Sequence, residues 1–101
     1  MIARMWHGWT TPENAEAYET LLRTKILPGI RKSAGCQGTR LLRRGRGEEV
    51  EFVTLLFFDS IEAVKAWAGP NYDDAVIPPE AKALLRRFRE RSRHYDVIFE
   101  L

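Results

Sequence analysis

A single cysteine, Cys36, leaves no intrachain disulfide available, so the fold must hold without covalent staples and needs no oxidising compartment. Long hydrophobic runs are missing too. None approaches the ~18 residues that a membrane-spanning helix requires. The opening Met1-Ile2-Ala3-Arg4-Met5-Trp6-His7 lacks the basic start and apolar stretch of a secretory leader. The expectation is a cytoplasmic protein with no membrane partner. Charge of one sign is also scarce: 16 basic against 14 acidic residues leave a net +2, too little for an electrostatic nucleic-acid footprint. Two histidines and one distant cysteine form no metal motif, and there is no GxGxxG or Walker pattern, so no metal or nucleotide cofactor is expected. Repeats, linkers and low-complexity tracts are absent. What remains, 45% hydrophobic and 30% charged residues over 1–101, describes one globular domain.

The periodicities supply its elements. Ile2 to Trp9 reads as a first strand that stops at Thr10-Thr11-Pro12. Thr11 is placed to cap a helix with Pro12 at its first position and Glu13 against its positive end. Tyr18, Leu21, Leu22 and Ile26 follow at helical spacing until Pro28-Gly29 interrupts or ends the helix. After a turn at Gly35–Gly38 that contains Cys36, Thr39 to Arg44 is a second strand, and Gly45-Arg46-Gly47 signals a hairpin into the near-continuous apolar strand Val50 to Phe58. Asp59 or Ser60 caps a second helix with Ile61, Val64, Trp67 and Ala68 on one side, and Gly69-Pro70-Asn71 ends it. Pro78-Pro79-Glu80 opens a short third helix carrying Leu84 and Leu85, and a last strand runs from Arg89 to Leu101 with Tyr95, Val97, Phe99 and Leu101 alternating on one face.

This order is the α+β, ferredoxin-like βαββαβ pattern, an antiparallel sheet with helices on one face. The other face would be bare, yet Met5, Val53, Leu55 and Phe57 are too apolar for water. A second copy of the chain is the simplest cover, which predicts a homodimer. An RNA-recognition module shares the element order, but its third strand carries a basic residue, a glycine and exposed aromatics. Here that strand is Glu51-Phe52-Val53-Thr54-Leu55-Leu56-Phe57, which argues against RNA. Two arginine clusters, Arg40 to Arg46 and Arg86 to Arg93, read as solvated edges balanced by Glu48, Glu49, Glu51 and Glu90.

The stretch Phe58-Asp59-Ser60-Ile61-Glu62-Ala63-Val64-Lys65-Ala66-Trp67 resembles the strand exit and helix of the antibiotic biosynthesis monooxygenase family. The aromatic first strand, Pro12, Pro28-Gly29, Gly35 and His94-Tyr95-Asp96-Val97 extend the likeness over almost the whole chain. The resemblance implies a dimeric α/β barrel, a fold that hosts many activities. In its haem-degrading branch, an asparagine on strand one, a tryptophan on the second helix and a later histidine hold the haem. Trp67 matches the tryptophan, but Trp6 or His7 stands at the asparagine and Ile77 near the histidine, so the axial ligand is missing. A cofactor-free branch oxidises phenolic polyketides such as anthrones to quinones, with the substrate supplying the electrons.

That second branch implies an aromatic small molecule as partner, no cofactor, and a site built from residue types present here. Trp6, Trp67 and Tyr72 are the candidate pocket residues, His94 the candidate proton acceptor and Arg4 the candidate anion stabiliser. Each has a plainer reading. Trp67 suits a helix core. Arg4 shares strand parity with Trp6 and would need a partner such as Asp or Glu in a dry interior. His7 is a second candidate base or a locally satisfied side chain, Tyr95 suits the core, and Cys36 has no activating neighbour. The reading is a cofactor-independent monooxygenase. Its alternatives are a non-catalytic ligand-binding or stress-related dimer, or an isomerase or lyase on the same scaffold.

Overall fold

The computed structural model describes residues 1–101. Strand β1 (Ile2–Thr10) leads into helix α1 (Pro12–Leu21), which runs through a π turn (Leu22–Ile26) into α2 (Leu27–Arg31). Strands β2 (Cys36–Arg46) and β3 (Glu49–Phe58) form a hairpin, followed by α3 (Ile61–Ala68), the single-turn α4 (Pro79–Lys82), and the short strands β4 (Arg87–Phe88) and β5 (Arg93–Asp96). The sheet order is β2-β3-β1-β4, with β5 also paired to β1, and every pairing is antiparallel. This is the ferredoxin-like arrangement. No helix is long and apolar enough to cross a membrane.

Local chemistry sets the element ends. The Thr11 hydroxyl accepts from the Asn14 backbone N–H at 3.3 Å, and the Ser60 hydroxyl from Ala63 N–H at 3.2 Å, satisfying donors that each helix start leaves open. Gly69 ends α3 with φ +93°, and Gly47 takes φ +60° in the two-residue turn between the paired Arg46 and Glu49. Gly35 has φ +82°, and its missing Cβ would lie 2.6 Å from Ala63 Cβ, so the turn before β2 packs directly on α3.

Pro28 does not end the first helix. It lacks the N–H that would bond to Thr24, and the chain absorbs this with the π turn, in which Leu27 N–H reaches back to Leu22 C=O. Thr24 adds a hydroxyl bond to Thr20 C=O at 2.7 Å. The core lies between this helix, α3 and the sheet. Tyr18 packs on Phe52 at 4.9 Å between ring centroids, with Phe58, Leu56, Val64 and Leu22 buried around them. Each such side chain contributes about 2 kcal/mol of apolar burial.

Four expectations change. Cys36 is not in the turn but is the buried first residue of β2, which is longer than Thr39 to Arg44 at both ends. The third helix is one turn, and Leu84 and Leu85 pack on the core from the loop after it. The last strand is broken. Arg89 N–H still bonds to His7 C=O, but residues 90–92 leave the sheet: Ser92 N–H bonds to Asp73 C=O, Ala75 N–H bonds to Glu90 C=O, and Asp74 bridges Arg91. Tyr95 is consequently no core residue: it is paired with Ala3 on the face away from the helices, is 46% exposed, and Phe99 and Leu101 lie beyond the sheet and are exposed.

Candidate functional site

The even-numbered residues of β1 face the helices, and two of them, Arg4 and Trp6, open onto a cavity. Thr54 and Leu56 of β3 continue its floor. Tyr18, Leu22, Ile26, Leu27 and Ile30 form one wall, Trp67 of α3 and the segment Val76-Ile77-Pro78 another, with Ala81 and Ser92 at the margin. The cavity spans about 500 Å³ counted out to its open mouth, but the part in which the centre of a water molecule can move is only about 50 Å³. It is a narrow, mainly apolar slot, with eleven of its fifteen lining residues hydrophobic. The π turn shapes it, since Leu22 and Ile26 lie at the two ends of that turn and both face the slot.

Arg4 is 2% exposed. A charged group this deep needs partners, and the expected carboxylate is not the one it takes. Its Nη1 donates to Tyr72 C=O and its Nη2 to Asp74 C=O at 2.9 Å. Nη1 also lies 2.9 Å from His94 Nε2. The guanidinium thus clamps the 72–74 loop to the sheet through backbone carbonyls. It also sits 5.2 Å from the centre of the Trp67 ring. Burial pulls its pKa down to about 10, partly offset by Asp73, so the group is cationic at neutral pH.

His94 stands behind this clamp. Arginine only donates, so His94 Nε2 accepts and its proton belongs on Nδ1, which faces Asp73 Oδ1 at 3.2 Å. Burial, and then the Arg4 charge, hold its pKa below the usual histidine value against the pull of Asp73. The Tyr72 ring meets His94 edge-on at 5.3 Å.

The structure therefore brings together all five sequence candidates, in two layers. Arg4, Trp6 and Trp67 line the cavity. Tyr72 and His94 lie in the layer behind Arg4 and are not among the lining residues. His7 is elsewhere, on the opposite face of the sheet, with Nδ1 2.9 Å from Glu51 Oε2, and Glu51 also receives Arg44. The bonds from His7 and Arg44 keep the Glu51 carboxyl below the usual range. Of the nine arginines read as solvated edges, Arg86 and Arg87 pair with Glu49 and Arg44 with Glu51 as expected, Arg43 bonds instead to Glu16 and Glu19 of α1, and the other five make no ion pair. Sequence reasoning missed Tyr18, Thr54 and Ser92 as cavity residues. Tyr18 has the helical spacing of a core residue, and nothing in that spacing distinguishes a ring that fills a core from one that also lines a slot.

No group of three or more His, Cys, Asp or Glu side chains is placed to hold a metal. Haem is poorly matched as well: the cavity is lined by no histidine, cysteine or methionine, Ile77 contributes hydrocarbon, and burial holds Tyr18, the one remaining haem-ligating residue type, in its protonated form.

Residues 1–72 match the profile of the antibiotic biosynthesis monooxygenase family. The chain belongs to this family. The matched span contains Arg4, Trp6, Tyr18, Thr54, Trp67 and Tyr72, and stops before Ser92 and His94. No match was found among curated proteins. Among solved structures, a Deinococcus radiodurans protein provisionally described as an antibiotic biosynthesis monooxygenase is 15% identical, with a TM-score of 0.71 over 100% of this chain and 96% of its own. The Mycobacterium tuberculosis protein Rv0793 is 23% identical, with a TM-score of 0.67 over 98% and 96%. The haem degrader MhuD of Mycobacterium tuberculosis, solved with two haems in its active site, is 19% identical, with a TM-score of 0.63 over 100% and 99%. These similarities establish a shared fold.

Proposed function

We propose that this family member is a cofactor-independent monooxygenase that binds an aromatic or phenolic small molecule in the slot between sheet and helices. The observation that supports this most is the slot itself, walled by Trp6 and Trp67 with the buried Arg4 cation in its lining. Flat apolar walls suit a ring system, and a nearby fixed positive charge favours the anion of a phenol over its neutral form. Such an anion can reduce oxygen itself. In the anthrone case one oxygen atom goes to the ring carbon, the other leaves as water with that carbon's two hydrogens, and a quinone results. His94 acts through Arg4 in this reading: it is a positioning residue, because its Nε2 lone pair is directed at the guanidinium.

The test is oxygen uptake by the purified, metal-free protein with a panel of anthrones and hydroquinones. Uptake above the uncatalysed rate that falls at least tenfold in Trp67→Ala is expected. A second reading has its own support, since no Asp, Glu, His, Lys or Cys lines the slot to take a proton. Saturable binding without uptake would favour this non-catalytic ligand-binding role.

We also infer a homodimer. Met5, Val53, Leu55 and Phe57 lie half-exposed on the sheet face away from the helices, with Leu42 and Tyr95, 48% and 46% exposed, beside them. A second copy laid on this face removes that apolar surface from water. Light scattering of wild type and Leu55→Glu tests this, and a monomeric wild type would overturn it.

A further inference from the structure

The polar groups in the slot differ in whether their donors are free. Arg4 gives three of its five donors to two carbonyls and His94, and Trp6 Nε1–H donates to Arg89 C=O at 2.6 Å. Tyr18 is different. It is 1% exposed, and its hydroxyl has no hydrogen-bond partner in the protein, yet it is not sealed: the one fully enclosed side-chain oxygen or nitrogen without a partner is Thr10 Oγ1. Tyr18 is also one of the residues that line the slot. Packing does not require that oxygen. The ring stacks obliquely on Phe52, which a phenylalanine would do equally well while sparing the desolvation of a hydroxyl.

We propose that the Tyr18 hydroxyl is the recognition donor of the slot, selecting flat, largely apolar ligands that carry a carbonyl or phenolic oxygen. This rests on the slot being a ligand site, and it adds which atom of the protein reads the ligand's oxygen. Burial pushes the Tyr18 phenol well above its usual pKa, so it holds its proton throughout the physiological range and serves as a donor, never as a base. Thr54, opposite Trp6 in the β1–β3 register, and Ser92, at the break in the last strand, add two further hydroxyls to the lining. An oxygenated ligand thus meets hydroxyls from the helix, the sheet and the loop.

The experiment uses a matched pair of probes, 1-tetralone and tetralin, which share a bicyclic skeleton and differ in the carbonyl. Binding to the full-length protein and to Tyr18→Phe is followed by quenching of tryptophan fluorescence, since Trp6 and Trp67 form the walls. Wild type is expected to prefer tetralone. Tyr18→Phe is expected to weaken tetralone about tenfold, the worth of one buried hydrogen bond, and to leave tetralin within twofold. The ligand-free Tyr18→Phe protein should melt no lower than wild type, because no internal bond is removed. A lower melting temperature with unchanged tetralone affinity would mean a structural role and overturn the proposal. Equal tetralone affinity in both proteins, with both probes bound, overturns the Tyr18 assignment and leaves the slot as a binding site. Failure of both probes to bind wild type overturns the ligand-site reading and the Tyr18 proposal with it.

Discussion

Replacing Arg4 with lysine tests whether the guanidinium fork, and not merely a positive charge, holds the site together. Arg4 bonds to Tyr72 C=O, Asp74 C=O and His94 Nε2 from a position 2% exposed. A lysine ammonium is a single point on a flexible stem and cannot reach from one side of this fork to the other, so about two of these contacts are lost. A hydrogen bond to a charged group is worth about 1.5–3 kcal/mol. Asp74 is exposed and Tyr72 half-buried, so water can recover part of the loss at the freed carbonyls. The expected cost is therefore near the lower end, about 2–3 kcal/mol, or roughly 10–20 °C in melting temperature for a domain of this size. Urea unfolding measures it, with an unchanged denaturant slope. Amide exchange supplies the local readout. The loop that Arg4 clamps also holds Ser92 N–H on Asp73 C=O at 2.7 Å and Ala75 N–H on Glu90 C=O at 2.8 Å, so both amides should exchange faster. A cost below about 0.5 kcal/mol, the range of ordinary surface substitutions, with both amides still protected would refute the clamp.

Acid should loosen the same corner. The folded-state pKa of His94 lies below its ordinary 6.5, so its neutral form contributes stability that is complete above that value and is lost as pH falls through the folded pKa. Unfolding free energies of wild type and His94→Gln should therefore diverge in slope as the buffer is taken below pH 6.5, and parallel curves would assign the titration elsewhere. At the first helix, Thr11→Ala removes the hydroxyl that accepts Asn14 N–H and should cost about 1 kcal/mol in chemical denaturation. Gly35→Ala combines a left-handed φ of +82° with a Cβ 2.6 Å from Ala63. It should destabilise by about 2 kcal/mol or more, and the double substitution with Ala63→Gly should recover part of that loss in thermal melts.

The clamp explains a pairing of features that otherwise look unrelated. The break in the last strand frees residues 90–92 to bond to the 73–75 loop, and Arg4 holds that loop from the sheet side. The slot margin at Ser92 and the layer behind Arg4 are therefore one construction. Its integrity depends on backbone carbonyls, which no substitution at Tyr72 or Asp74 removes directly. Side-chain changes there should be milder than changes at Arg4.

Much of this protein is legible from local rules. Thr11 and Ser60 as caps, Gly69 as a stop, and the strands on either side of a glycine turn all depend on groups within about four residues of one another, so a short stretch of sequence specifies them. The order of those elements leads to the ferredoxin-like sheet, and strand parity alone put Arg4 and Trp6 on one face and Met5 on the other. What tertiary structure decided is where left-over donors and acceptors meet. Arg4 finds partners 68, 70 and 90 residues away, two of them backbone carbonyls that carry no side-chain signature in the sequence. The last strand breaks where its middle bonds to a distant loop in place of β1. Tyr18 keeps a free hydroxyl because the fold brings no acceptor to a ring that spacing assigns to the core and that also lines the slot. Periodicity records which face a residue occupies. Whether its polar atom is satisfied there depends on every other element packed against that face, and only the assembled chain determines that.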